Sequence, residues 1–110
     1  MESPKLELPQ GTLDLLILRV LASGEMHGWG MAQRLSVLSS EALKLQEGTL
    51  YPALYRMEAR GWIASTWAQS EQNRRAKFYR LTAVGKKQLK EEKASWAQLS
   101  AVIQAVLKDA

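Results

Sequence analysis

From Thr82 to Lys108 the apolar residues recur with a period of seven: Leu89, Trp96 and Ile103 form one series, Leu99 and Val106 a second, and Glu92 occupies the earlier position of the second. That spacing predicts one continuous helix with an a/d seam, and Thr82 is a suitable cap for it. About 26 residues at about 1.5 Å each make a rod of roughly 40 Å. A compact domain of about 100 residues has a radius of gyration of only about 13 Å. The helix is therefore expected to project beyond the rest of the chain with an apolar stripe that needs cover, and a second copy of the chain is the cheapest cover.

The preceding residues alternate between helical periodicity and turn signals. Residues 1–10, broken by Pro4 and Pro9, read as an arm. Thr12 is a good N-cap, Asp14 suits a helix N-terminus, and Leu13, Leu16, Ile17, Val20 and Leu21 make an inward stripe that Ser23-Gly24 ends. Leu15 and Leu18 fall outside that stripe, so this helix is either unusually buried or meets another subunit. A second helix is predicted from about His27 to Leu38, with Met31, Ala32, Leu35 and Leu38 inward. His27 stands where its N-cap belongs, with a phosphate contact as the alternative role. Gly28 and Gly30 permit close backbone approach. Leu43 and Leu45 alternate as in a very short strand. Two β-rich runs, Trp62–Trp67 and Lys77–Leu81, flank the polar stretch Gln69–Arg75 and read as an antiparallel hairpin whose register no Asn-Gly turn fixes.

Between the short strand and the hairpin lies GTLYPALYRMEARG, Gly48 to Gly61. Thr49 can cap this helix with Pro52 in its first turn, and Gly61 suits the C-terminal stop. Leu50, Ala53, Leu54 and Met57 share one face. Tyr51, Pro52, Tyr55, Arg56 and Ala59 share the other, which offers two phenols and a guanidinium for hydrogen bonding.

Charge sharpens the reading. The formal net charge is +4, but Arg56 to Lys90 carries nine basic residues against Glu58 and Glu71, a local +7 inside a mildly acidic remainder. A basic third of this kind is the footprint of a polyanion-binding surface. With no cysteine, one histidine and no phosphate-cradling glycine motif, an enzyme, a zinc site and any cofactor are not expected. No apolar run reaches membrane-span length and the N-terminus lacks a signal-peptide pattern, so a cytoplasmic protein is expected.

The order helix, helix, short strand, helix, hairpin, long helix predicts a mainly α fold with a small β-hairpin: a winged helix-turn-helix over 11–82 and a C-terminal dimerisation helix over 83–110. In such folds the third helix enters the major groove and the hairpin loop tracks the backbone or the minor groove. The candidate DNA contacts are Gly48, Thr49, Tyr51, Pro52, Tyr55 and Arg56 on the helix, and Asn73, Arg74, Arg75 and Lys77 on the wing. Backbone N–H groups at Gly48-Thr49-Leu50 are expected to attract a phosphate. A winged helix serving protein interaction, with weak or absent DNA binding, is the alternative.

Four segments, LPQGTLDLLILRVL, HGWGMAQRL, EGTLYPALYRMEARGWI and NRRAKFYRLTAVGKKQL, together make the chain resemble the PadR-type transcriptional regulators over residues 8 to about 90. Trp29 stands where that family usually has tyrosine. The resemblance implies a prokaryotic homodimeric repressor of the short class, acting on a double-stranded operator and associated with the nucleoid when bound. It implies a C-terminal helix packed on the partner's N-terminal helix, with Leu15, Leu18, Leu89, Trp96, Leu99, Ile103 and Val106 at the interface. It also implies that Trp96 is a candidate contact for a small flat aromatic inducer.

Overall fold

The computed structural model describes residues 8–108. The chain forms α1 (Gln10–Leu21), β1 (Met26–His27), α2 (Gly28–Leu38), α3 (Glu47–Ala59), β2 (Ile63–Gln69), β3 (Arg75–Leu81) and α4 (Ala83–Lys108). Of the expected N-terminal arm, residues 1–7 lie outside the described residues. Pro9 is already the N-cap of α1: its carbonyl accepts from Thr12 N and Leu13 N at 3.0 and 3.1 Å, so Thr12 sits in the first turn and does not cap.

α1 is the hub of the core. Leu13, Ile17, Leu18, Val20 and Leu21 pack with Met31 and Leu35 of α2, with Leu50, Ala53, Leu54 and Met57 of α3, and with Ile63 and Tyr79 of the sheet. Leu18 is fully buried and Leu15 is buried within the same chain, so of the two explanations for the broad apolar surface of α1, burial is the one observed. Leu38, expected inward, is exposed beside Val37 at the end of α2.

The sheet has three antiparallel strands in the order β1-β3-β2. Its third strand is not Leu43–Leu45, which stays irregular with Leu43 buried, but Met26–His27 between the first two helices, paired Met26↔Tyr79 and His27↔Phe78. The β2–β3 register runs from Ile63↔Leu81 to Gln69↔Arg75. Asn73 (φ 62°) supplies the left-handed residue of the turn that joins them, with Asn73 N donating to Ser70 O at 2.9 Å and Ser70 N to Arg74 O at 2.7 Å. The register is thus set by an asparagine turn without glycine, since asparagine tolerates this conformation better than most residues.

The end of α3 and the start of α4 are tied together. Gly61 (φ 76°) closes α3 in a Schellman arrangement, with Gly61 N donating to Glu58 O and Trp62 N to Met57 O, each at 3.0 Å. The Thr82 hydroxyl donates to the Gly61 carbonyl at 2.6 Å, lies 3.0 Å from that of Trp62, and caps α4 by accepting from Gly85 N at 3.0 Å. Leu89, one turn further on, is half-buried against the core of its own protomer. Beyond it α4 runs free: Trp96, Leu99, Val102, Ile103, Val106 and Leu107 are all exposed. The molecule measures 54 × 40 × 21 Å, long and thin because of this projection.

Candidate nucleic-acid interface

α3 turns its apolar face to α1 and leaves its other side open. Tyr55 is 79% exposed, and Gly48, Thr49 and Pro52 are exposed with it. The helix begins three residues earlier than its sequence suggests, because the Gln46 carbonyl accepts from both Thr49 N and Leu50 N at 3.0 and 2.9 Å. Thr49 is therefore not the cap, its amide and that of Leu50 are already engaged, and Glu47 places a carboxylate in the first turn. These three facts make the α3 N-terminus a poorer anion seat than expected. Pro52 lies in the second turn, tolerated because the carbonyl its missing N–H would have met belongs to exposed Gly48.

The α2 N-terminus is better suited in charge, though one of its amides is engaged as well. Its first turn contains no acid, and His27 caps it, Nδ1 accepting from Gly30 N at 3.0 Å. That bond makes the capping role of His27 the observed one, while its ring packs edge-on to Phe78 at 5.3 Å. Gly28 is buried beneath the Tyr51 phenol, and a Cβ there would stand 2.8 Å from Tyr51 Oη. Tyr51 is thus half packed onto α2 and half exposed.

A cleft of about 750 Å³ opens between the start of α2, Tyr51 and the hairpin. His27, Trp29, Tyr51, Trp67 and Tyr79 supply its aromatic surface; Arg74, Arg75 and Lys77 supply positive charge, and no acid among the described residues lines it. The Arg75 guanidinium lies over the Trp67 ring, 5.3 Å from its centroid. Among the described residues Arg74 and Arg75 have no ion-pair partner, whereas Lys77 Nζ sits 3.3 Å from Glu58 Oε1. Glu58 also accepts from Ser65 Oγ at 2.6 Å, and that bond, ahead of the Lys77 charge, holds its carboxyl below the ordinary value. Lys77 is accordingly a largely compensated cation, and Asn73 is first a turn residue.

Arg56 departs furthest from expectation. Its guanidinium turns inward, Nη2 standing 3.1 Å from Oδ1 of Asp14 on α1, and Arg60 Nη1 approaches Asp14 Oδ2 at 3.9 Å. Asp14, expected to serve the α1 N-terminus, is 95% removed from solvent as a side chain, given its 5% exposure. Burial pushes its carboxyl above the usual value against the pull of Arg56. A single acid among Leu13, Leu15, Leu16 and Ile17 was the available signal for this pair. The exposed face that remains combines Tyr51, Pro52 and Tyr55 from α3 with Arg74 and Arg75 from the wing.

Residues 17–91 match the profile of the Transcriptional regulator PadR-like family. The chain belongs to that family. It is 32% identical over 94 residues to the transcriptional regulator Rv3488 of Mycobacterium tuberculosis, covering 86% of this chain and 84% of that protein. Among solved structures, a PadR family regulator from Clostridium difficile is 34% identical with a TM-score of 0.74, covering 86% of this chain and 97% of the other. A transcriptional regulator from Clostridium thermocellum gives a TM-score of 0.80 at 29% identity, covering 87% and 93%. This PadR-like chain is therefore a transcriptional regulator with a winged-helix fold, and not an enzyme. No helix among its described residues is long and apolar enough to cross a membrane.

Proposed function

We propose that this PadR-like regulator works as a homodimeric, sequence-specific repressor on double-stranded DNA. The observation that carries this reading is the shared cleft: Tyr51 of α3, the α2 N-terminus and the wing arginines Arg74 and Arg75 all line it. A duplex seated there would put Tyr55 and Pro52 against base edges in the major groove, Gly48 and Thr49 beside them, and a backbone phosphate between the α2 N-terminus and Arg74-Arg75. Lys77 and Asn73 support the wing more than they touch the strand. Tyr55 is so exposed that truncation leaves the fold intact, which isolates its part in reading. Tyr55→Ala is expected to lower the preference for an operator over random DNA by ~1–3 kcal/mol, with unchanged thermal stability. A variant that retains full preference would assign reading elsewhere. DNA binding that is weak and easily displaced by bulk random DNA would favour the protein-interaction alternative.

The dimer reading rests on the uncovered stripe of α4. Trp96, Leu99, Ile103 and Val106 stand at helical spacing on a rod that its own chain leaves exposed, and a two-fold partner would bury it. Leu15 and Leu18 are buried within the protomer, and half-buried Leu89 stands at the inner end of that stripe. Trp96→Ala is expected to raise the dimer dissociation constant at least about tenfold while the winged helix stays folded; light scattering across micromolar concentrations reads this directly. Unchanged association would remove Trp96 from the interface. Release by a flat aromatic ligand held at Trp96, and a cytoplasmic, nucleoid-associated location, complete the proposal.

A further inference from the structure

We propose that Asp14 is a positioning residue for the DNA-reading face: one buried carboxylate on α1 grips Arg56 of α3 and Arg60 at its C-cap and so helps fix the rotation of that helix about its own axis. The inference rests on the reading of α3 given above. Asp14 is buried among leucines and isoleucine, 42 residues from Arg56 in sequence, and it faces Arg56 and Arg60 together at 3.1 and 3.9 Å. The buried residues of α3, Leu50, Ala53, Leu54 and Met57, are all apolar, and the other directional contact of the helix is Glu58, which accepts from Ser65 Oγ at 2.6 Å and pairs with Lys77. Apolar contacts are non-directional and constrain a helix's rotation through side-chain packing alone. The Asp14 pairs are directional and meet at a buried carboxylate, and together with the Glu58–Ser65 bond at the edge of the sheet they define it.

Stability alone does not account for the arrangement. A buried ion pair contributes net stability only when its geometry is good and its remaining polar atoms are satisfied. Here Arg56 Nε is buried with no hydrogen-bond partner among the described residues, and Glu92 of α4 adds a second negative charge near Asp14. Replacement by apolar side chains of similar volume is often neutral or stabilising in such cases. What the ionic version adds is orientation, and the lever is long. Tyr55 is the immediate neighbour of Arg56, and a tyrosine hydroxyl stands about 9 Å from a helix axis, so a rotation of about 10° moves it by about 1.5 Å. That displacement breaks a hydrogen bond to a base edge.

The test compares the wild type with Asp14→Asn and with the apolar double variant Asp14→Leu/Arg56→Met. Urea denaturation reports stability, titration with operator and random duplexes reports preference, and NMR of the Tyr51 and Tyr55 rings in the free protein reports helix setting. The double variant leaves the net charge unchanged and is expected to keep a wild-type urea midpoint. Its operator-to-random affinity ratio is expected to fall about tenfold, and the Tyr55 ring resonances to shift. Asp14→Asn, which retains an acceptor, is expected to show the same changes in smaller measure and serves alone if the double variant does not fold. An unchanged affinity ratio with unchanged tyrosine resonances, whatever the stability, would overturn the proposal. If the wild type itself shows no sequence preference, DNA reading by α3 fails, and the free-protein resonances still decide whether Asp14 sets the helix.

Discussion

Gly85→Ala is expected to destabilise the chain by about 3 kcal/mol or more, at the upper end of what overpacking does. A Cβ on Gly85 would stand 1.9 Å from the Trp62 carbonyl oxygen and 2.9 Å from its carbon. Both are backbone atoms, so no side-chain rotation relieves the clash. The same carbonyl accepts from Thr82 N at 3.1 Å and lies 3.0 Å from the Thr82 hydroxyl, so α4 cannot retreat without opening the joint that ties it to the end of α3. For a domain with a total stability of about 5–15 kcal/mol, that loss lowers the melting temperature by more than about 10 °C. Gly11→Ala is the matched control: its Cβ would meet nothing within 4 Å, in a helix where alanine is favoured over glycine by about 1 kcal/mol. Thermal melts of the two variants should move in opposite directions. A Gly85→Ala protein as stable as wild type would mean that α4 does not dock in this way.

The second large effect concerns the wing. Arg74→Ala with Arg75→Ala removes the two cleft-lining cations that lack an acidic partner among the described residues. Each phosphate contact contributes about 0.9 to the slope of log affinity against log salt. The slope is expected to flatten by about 2 per protomer, and affinity at about 0.15 M salt to fall ~100–1,000-fold for a dimer. Operator and random DNA should suffer alike, because backbone contacts carry no sequence information. Lys77→Ala should do much less, since Glu58 already compensates that charge. A double variant with unchanged salt slope would place the backbone contacts outside the wing.

Local features were legible in the sequence and long-range ones were not. His27 and Thr82 cap their helices as the residue chemistry implies, Gly61 ends α3, and the hairpin forms where the β-rich runs lie. These depend on neighbours within a few residues. β1 escaped notice because two residues, Met26 and His27, are too few to show alternation, and their pairing partner lies some fifty positions away on β3. Thr49 looked like a cap by type, yet the carbonyl of Gln46 starts α3 earlier. Arg56 looked outward by helical phase alone. Its position on the α3 flank lets a flexible guanidinium swing either way, and Asp14 on another helix decides the direction. For the candidate site, the tyrosine face and the wing arginines could be read from the chain, whereas the aromatic cleft between them exists only once β1 has brought the start of α2 beside the hairpin.

The most direct test of the central claim is to select the duplexes this regulator retains from fragmented DNA of its own genome and to titrate the best of them by fluorescence anisotropy between about 50 and 200 mM salt. The expected result is a recurring pair of half-sites with centres about one helical turn apart, ~34 Å, bound with a slope of about −4 or steeper. Retained fragments with no shared sequence, or binding indifferent to salt, would contradict the assignment of α3 and the wing as a DNA-reading surface.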